Sequence, residues 1–127
     1  CFEDTFVEPA RAQALQGADL FANLTNDAWY GNTSAAYQHL GLSVFRSVEN
    51  RRSLVRAANT GISAFVAPSG RVITAAPLFT QAVLAQPVPL LDLKTFHQRF
   101  PQLVSFACLF SLVVAAVWSF VRRSRGN

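Results

Sequence analysis

The pattern of apolar and polar positions divides the chain into short helices and strands, followed by one long apolar run. The stretch EPARAQALQG (8–17) predicts a short helix, because Pro9 suits a first helical turn and Gly17 can end it. The mostly apolar DLFANLT (19–25) predicts a buried strand. The segment NDAWYGNTS (26–34) is polar and aromatic, and it is predicted to be a loop.

A longer helix is predicted from Ser34, where apolar residues return at helical spacing. Its apolar positions fall at offsets 0, 3, 7, 8 and 11, which places them on one face. These positions are Tyr37, Leu40, Val44, Phe45 and Val48. We expect this face to lie against the core. The other side of the helix carries the charged residues Arg46, Glu49, Arg51 and Arg52.

Several strands are predicted after this helix. SLVRAAN (53–59) and ISAFVA (62–67) predict two of them, and PSGR (68–71) predicts a hairpin turn. Two further strands are predicted over RVITAA (71–76) and QAVLAQ (81–86). The order of helix, strand, helix and several strands indicates an α/β fold, in which helices cover a sheet.

The folded domain is predicted to cover residues 1–86, with a linker over 87–102. The boundary rests on QPVPLLD (86–92), which is too rich in proline for a central strand. About 100 residues can bury only a modest core. We therefore expect the folded part to be the second half of a larger domain.

Residues 103–121, LVSFACLFSLVVAAVWSFV, carry no charge. As a helix of about 1.5 Å rise per residue they would reach about 28 Å, close to the ~30 Å hydrocarbon core of a bilayer. A transmembrane helix is therefore predicted here, with a buried core helix as the alternative. The basic tail 122–127 favours a cytoplasmic C-terminus, which would place the folded part on the outer, periplasmic side of a bacterial inner membrane.

Composition supports a membrane protein and argues against a nucleic-acid-binding protein. The chain is 51% hydrophobic and 14% charged, whereas ordinary soluble domains are about 25% charged. Three of the positive charges that make up the net +4 lie at the C-terminus, in Arg122, Arg123 and Arg125, so no basic face is left for nucleic acid. His39 has no metal-ligating residue at useful spacing, and neither a metal site nor a cofactor is predicted.

The chain opens on Cys1 without an initiator methionine or a signal peptide, so we expect a processed product or a piece of a longer protein. The other cysteine, Cys108, lies in the apolar run, which makes a disulfide implausible and predicts a free thiol at Cys1. From the residues alone, Cys1 is a lipid anchor, a catalytic thiol or an accident of where the chain begins.

Four blocks of the sequence carry a resemblance to a known family. They are CFEDTFVEPAR, NLTNDAWYGNTSAAYQH, FRSVENRRSLVRAANTGISAFVAPSGRV and the terminal apolar run. Together they resemble apolipoprotein N-acyltransferase, a bacterial membrane enzyme of the nitrilase superfamily. The likeness runs over nearly all of the chain. It implies the C-terminal half of a nitrilase-like α-β-β-α sandwich, followed by one transmembrane helix.

The resemblance also implies a reaction. A fatty acyl chain passes from a phospholipid donor to the N-terminal diacylglyceryl-cysteine of an apolipoprotein acceptor, through a thioester on a cysteine. Cys1 matches that nucleophile and Glu3 a supporting carboxylate. The family's catalytic Glu and Lys lie upstream of the cysteine and are not in this sequence, and Lys94 is not a substitute. Phe2 and Val7 stand where Tyr and Pro are common.

The remaining candidates lie in the polar loop and on the long helix. Trp29 and Tyr30 are predicted to bind substrate, with a place in the core as the alternative. Arg46, Glu49 and Arg56 are predicted to form a buried ion network. Two other functions stay open: a membrane-tethered nitrilase-type amidase, and a non-catalytic membrane-tethered interaction domain. Lipidation of Cys1 itself would make the chain a substrate instead of an enzyme.

Overall fold

The computed structural model describes residues 2–124, without the side chains of Phe120, Val121 and Ser124. The predicted nucleophile, Cys1, lies outside the described residues, as does the end of the basic tail, 125–127. The elements in chain order are α1 (Val7–Leu15), β1 (Leu20–Asn26), α2 (Ala35–Asn50), β2 (Ser53–Asn59), β3 (Ala64–Val66), β4 (Val72–Ala75), α3 (Phe96–Arg99) and α4 (Leu103–Ser124). Two single 3₁₀ turns, Glu3–Thr5 and Ala28–Tyr30, lie before α1 and after β1.

One four-stranded sheet organises the fold, in the order β1-β2-β3-β4. β1 and β2 are parallel and connected through α2, whereas β2, β3 and β4 pair antiparallel. The parallel register runs from Leu20 opposite Ser53 to Asn26 opposite Asn59. Because parallel strands end at the same edge of a sheet, the loops that follow β1 and β2 lie together there. The α/β prediction is confirmed.

A small apolar core holds the helices against this sheet. Its buried members are Ala14, Phe21, Leu54, Ala64 and Val66, with Ala10, Ala18, Leu40 and Val44 packed around them. Most of these side chains are small, so α1 and α2 approach the sheet closely.

The predicted inward face of α2 is wrong in part. Tyr37 and Phe45 are 61% and 59% exposed. The buried positions are Ala36, His39, Ser43, Arg46, Ser47 and Asn50. Polar side chains face inward because the charged groups of Asp4 and Arg56 lie beneath the helix and need hydrogen-bond partners. Of the predicted apolar face, Leu40 and Val44 pack against the core, whereas Tyr37 and Phe45 face solvent.

The hairpin turn over 68–71 is confirmed. It joins β3 to β4, and Gly70 adopts a φ of +86° there. The strand predicted over 81–86 is wrong, because these residues, all of them described, have no regular structure. The segment after them instead crosses the start of β2, where Ser53 Oγ donates to the carbonyl of Pro89 at 2.6 Å. Pro89 offers no N–H to a ladder, so this segment is unsuited to a central strand.

The C-terminal apolar run is helical, as predicted, and lies within α4. Many of its large apolar side chains are exposed, among them Phe106, Phe110 and Leu112. Across the part of the chain whose side chains are described, no helix is both long and apolar enough to cross a membrane.

Candidate functional site

The N-terminal turn, residues 2–6, places two neighbouring carboxylates in different environments. Glu3 is exposed, whereas Asp4 is buried. The turn is closed by Thr5 Oγ1, which donates to the carbonyl of Phe2 at 2.7 Å, and by the N–H of Phe6, which donates to the carbonyl of Glu3 at 3.1 Å. Cys1 immediately precedes this turn. The turn therefore offers Glu3 to solvent and anchors itself through Asp4.

The aromatic loop, residues 26–31, follows the end of β1. Asp27 is buried, Trp29 is 84% exposed, and Tyr30 is half-buried with its ring centroid 5.5 Å from that of His39. A place for Trp29 in the core is therefore wrong. Gly31 ends the short turn with a φ of +56°, a conformation that favours glycine. The loop holds Tyr30 against α2 and leaves the ring of Trp29 free to meet another molecule.

An ionic cluster of Asp4, Asp27, His39 and Arg56 lies between the turn and the loop. Arg56 donates from Nη1 to Asp4 Oδ2 at 2.7 Å and from Nη2 to Asp27 Oδ2 at 2.9 Å. The imidazole of His39 lies 2.9 Å from each partner, with Nε2 against Asp4 Oδ1 and Nδ1 against Asp27 Oδ1. All four side chains are buried. Each carboxylate thus meets the guanidinium with one oxygen and the imidazole with the other.

Two neutral side chains complete the cluster. Ser43 Oγ donates to Asp4 Oδ2 at 2.5 Å and lies 2.6 Å from Arg56 Nη1. Asn23, the partner of Arg56 across the parallel strands, accepts from the same Nη1 at 2.7 Å. These contacts offset part of the cost of burying charged groups. Among the described residues, only the Nε of Arg56 within this cluster is buried without a hydrogen-bond partner.

The cluster changes the acidity of Asp4. Burial by itself would raise the pKa of this carboxyl, because it disfavours the charged form. Hydrogen bonds from Ser43 and His39, together with the charges of His39 and Arg56, outweigh burial and hold the pKa of Asp4 below its usual value. Asp4 is therefore an anion at neutral pH and serves as an anchor, not as an acid.

The sequence blocks that carry the resemblance meet at Asp27. The N–H of Asp27 donates to the carbonyl of Asn59 at 3.3 Å, and Arg56 holds its carboxylate. Gly61 lies so close that a Cβ built on it would be 2.7 Å from the Cβ and Cγ of Asp27. In R-x-x-N-x-G-I-S, the arginine, the asparagine and the glycine thus all surround one aspartate of the NDAWYG block.

The predicted network of Arg46, Glu49 and Arg56 is wrong in its membership. Arg46 Nη2 does pair with Glu49 Oε1 at 3.0 Å on α2. Arg56 instead pairs with Asp4 and Asp27. Sequence analysis missed both aspartates and His39. The available signals were an arginine in the middle of an otherwise apolar strand, and a histidine and serine spaced four apart on α2.

A cavity of about 80 Å³ lies beside the N-terminal turn. Its apolar lining includes Phe21 and Leu54, and its polar lining consists of Glu3, Asp4, Gln13, Asn23, Ser43 and Arg46. Sites that enclose drug-sized ligands usually measure about 300–1,000 Å³, so this cavity is too small for a lipid chain.

Metal ligation is not supported within residues 2–124, where no group of three His, Cys, Asp or Glu side chains could hold an ion. Both nitrogens of His39 already face carboxylates. Cys108 is a free, exposed thiol on α4, far along the chain from the turn.

Comparison with known proteins places this sequence in a family. Residues 1–98 match the model of the carbon-nitrogen hydrolase family. The chain is 44% identical to an apolipoprotein N-acyltransferase of Geobacter metallireducens, over 98% of this chain and 24% of that protein. It is 38% identical to apolipoprotein N-acyltransferase 1 of Treponema pallidum, over 100% of this chain and 24% of that protein.

A third relative, an apolipoprotein N-acyltransferase of Chlorobaculum tepidum, is 36% identical over 97% of this chain and 23% of that protein. The chain thus spans about a quarter of the length of the curated relatives that it matches. The resemblance drawn from the sequence blocks is confirmed, and the chain belongs to the carbon-nitrogen hydrolase family.

Proposed function

We propose that this chain is part of a membrane acyltransferase that moves a fatty acyl chain from a phospholipid to the N-terminal diacylglyceryl-cysteine of an apolipoprotein. One observation carries the proposal: the turn that follows Cys1 and the loop that exposes Trp29 are anchored to the same buried pair, Arg56 and His39. The turn that follows the proposed nucleophile and the loop that carries an apolar contact for lipid are thereby held by the same two side chains. The names of the relatives support the choice of substrates.

The reaction proceeds in two balanced steps. The thiolate of Cys1 attacks the carbonyl carbon of a phospholipid ester, the C–O bond breaks, and the leaving alkoxide takes a proton to give a lysophospholipid. The α-amino nitrogen of the acceptor then attacks the thioester carbon, the C–S bond breaks, and the amine loses a proton as an amide forms and the thiol is restored. Cysteine suits this sequence because thiolates are strong nucleophiles and thioesters react readily with amines.

A thiol of ordinary pKa, about 8.5, is only a few per cent thiolate at neutral pH, so a base and a cation must assist Cys1. The resemblance assigns these roles to a Glu and a Lys in the part of the protein that precedes the cysteine. Glu3, exposed two residues after Cys1, supports the geometry of this group. Trp29 and Tyr30 form the contact for the acyl chain, because each has an apolar body and a polar tip suited to a lipid interface.

The domain plan of the proposal follows the sequence. Residues 1–86 belong to the catalytic domain on the periplasmic side, 87–102 link it to the membrane, 103–121 cross the bacterial inner membrane, and 122–127 are cytoplasmic. The support for the crossing is the uncharged run in the sequence, which continues over Phe120 and Val121, beyond the consecutive side chains that are described.

Reporter fusions at the C-terminus test this topology. Green fluorescent protein fused after Asn127 should fluoresce in the bacterial cell, and alkaline phosphatase at the same point should be inactive, because it folds only outside the cytoplasm. If the phosphatase fusion is active and the green fluorescent protein fusion does not fluoresce, the proposed cytoplasmic C-terminus is contradicted.

Acyl-enzyme formation tests the chemistry. The whole protein is incubated with phospholipid vesicles and digested, and the peptide that carries Cys1 is examined by mass spectrometry. We expect one acyl chain on Cys1 in the wild type and none in Cys1→Ala or Cys1→Ser. Cys108→Ala, which removes the other thiol of the chain, should be acylated normally. Acyl transfer that persists in Cys1→Ala would overturn the proposal, and hydrolysis of small amides without acyl transfer would favour the amidase.

A further inference from the structure

The N-terminal turn and the aromatic loop are separate in sequence but share one pair of anchors. Asp4 belongs to the turn, and Asp27 belongs to the loop. Arg56, in the middle of β2, and His39, near the start of α2, each contact both carboxylates at 2.7–2.9 Å. Neither loop can move relative to the other unless at least one of these contacts breaks.

The anchors are rigid. A guanidinium is planar, and the spacing of its two terminal nitrogens is fixed by covalent geometry. An imidazole ring likewise fixes the distance between its two nitrogens. Since each carboxylate contacts both groups, the separation and the relative tilt of Asp4 and Asp27 are determined. A single Lys ammonium in place of Arg56 could not reproduce this, because it is a point charge on a flexible stem.

Stability alone does not account for the cluster. Buried ion pairs contribute little net stability, and apolar residues of similar volume are often as good or better. Both buried carboxylates of the described residues, Asp4 and Asp27, lie at the junction of the turn and the loop, with Arg56 between them. The other buried arginines, Arg46 and Arg52, bind partners outside this junction. The location of the cluster indicates that it specifies the geometry of that junction.

We propose that Arg56 and His39 are positioning residues that align the N-terminal turn with the aromatic loop. The inference rests on the proposed function, in which Cys1 reacts and Trp29 contacts the acyl chain. Arg56 and His39 touch no reacting atom and act through Asp4 and Asp27. A long-chain lipid that must reach both elements depends on their alignment, whereas a short ester that meets only Cys1 does not.

The experiment compares two acyl donors in the whole protein. Single-turnover acylation of Cys1 is measured with vesicles of a long-chain phospholipid and with a short, water-soluble p-nitrophenyl ester, and both rates are expressed per folded molecule. Arg56→Lys should lower the rate with phospholipid by about tenfold or more, because displacement by about 1 Å can cost up to about a hundredfold. The rate with the short ester should change little.

A matched control separates positioning from structure. Arg52→Lys alters another buried arginine, which lies directly before β2 and donates to the carbonyls of Ala18 and Leu93. It should lower stability without changing the ratio of the two rates. If Arg56→Lys does not fold, Asp4→Ala is the second variant, since Arg56 then keeps Asp27, Asn23 and Ser43.

Rescue by a conservative change completes the test. Asp4→Asn should restore most of the phospholipid rate lost in Asp4→Ala, because an amide can accept from Arg56 and donate to His39. Equal losses with both donors, or no loss with either, would overturn the inference while leaving the proposed function intact. A wild type that is never acylated on Cys1 would overturn the proposed function, and the inference with it.

Discussion

Gly61 lies directly against the side chain of Asp27, so that the aspartate fills the space that any larger residue at position 61 would need. The contact brings the end of β2 within reach of the aromatic loop, and it involves no unusual backbone conformation at Gly61. Substitution here therefore tests packing around the ionic cluster without a contribution from backbone strain.

Gly61→Ala should destabilise the whole protein by about 1–3 kcal/mol, because the added methyl overlaps Asp27 and forces the loop to shift. The measurement is thermal or denaturant unfolding. Gly41→Ala is the matched control: Gly41 lies inside α2 with open space around its Cβ position, so alanine there should stabilise by up to about 1 kcal/mol. Equal effects of the two changes would contradict the close packing at Asp27.

Ser43 and Ser47 are both fully buried and one turn apart on α2, yet only Ser43 is bonded within the cluster. Ser43→Ala should cost about 1–3 kcal/mol, because it removes a partner of Asp4 and Arg56. The Oγ of Ser47 has no hydrogen-bond partner among the described residues, so Ser47→Ala should be neutral or stabilising. Urea unfolding of the two variants checks the pair, and a larger loss for Ser47→Ala would be the contrary result.

Acid should weaken the fold through Asp4. Its pKa is lowered in the folded state, so the unfolded state binds more protons and stability rises with pH. The contribution of Asp4 is complete above the ordinary carboxyl pKa of about 3.9 and is lost as the pH falls through the lowered value. Asp4→Asn should flatten this acid limb in unfolding measurements, whereas Asp19→Asn, which changes an exposed carboxylate, should leave it unchanged. If the free energy of unfolding falls with acid in the same way in the wild type and in Asp4→Asn, the stabilising role of the Asp4 carboxylate is contradicted.

Trp29→Ala should separate activity from stability. The side chain is 84% exposed, so its removal should leave the melting temperature nearly unchanged. Under the proposed function, acyl transfer from phospholipid should fall at least about tenfold, or ~1.4 kcal/mol. Tyr37→Ala, which removes an exposed aromatic ring from α2, is the control and should retain normal transfer. A large fall in melting temperature with normal transfer would show that Trp29 is structural.

Local features of the sequence were sufficient to predict most of the elements. The apolar residues in SLVRAAN and the turn residues in PSGR are local signals, and β2 and the β3–β4 hairpin lie where they were predicted. The strand predicted over QAVLAQ (81–86) does not form, because a strand-like sequence adopts strand structure only when it pairs with a neighbouring strand. In the segment that follows QAVLAQ, the carbonyls of Pro89 and Leu93 instead accept hydrogen bonds from Ser53, the first residue of β2, and from Arg52, which precedes it.

The site was less predictable than the fold. Glu3 was chosen because of its spacing from Cys1, yet the neighbouring Asp4 is the carboxylate that anchors the turn. The inward side of α2 was assigned from apolar spacing, but His39 and Ser43 face inward because they meet charges that come from distant parts of the chain. Such contacts leave no periodic pattern, and only the assembled sheet brings their members together.

The separation of Asp4 from Arg56 by 52 positions has a consequence for the order of assembly. Contacts between distant positions form late, because closing a long loop costs more entropy than closing a short hairpin. During synthesis the turn beside Cys1 leaves the ribosome before β2, and it waits without its anchors until the parallel pair has formed. We therefore expect pulsed hydrogen exchange during refolding to find the amides of the N-terminal turn protected later than those of the β3–β4 hairpin. The N-terminal turn is thereby kept out of alignment with the aromatic loop until the parallel pair of strands is complete.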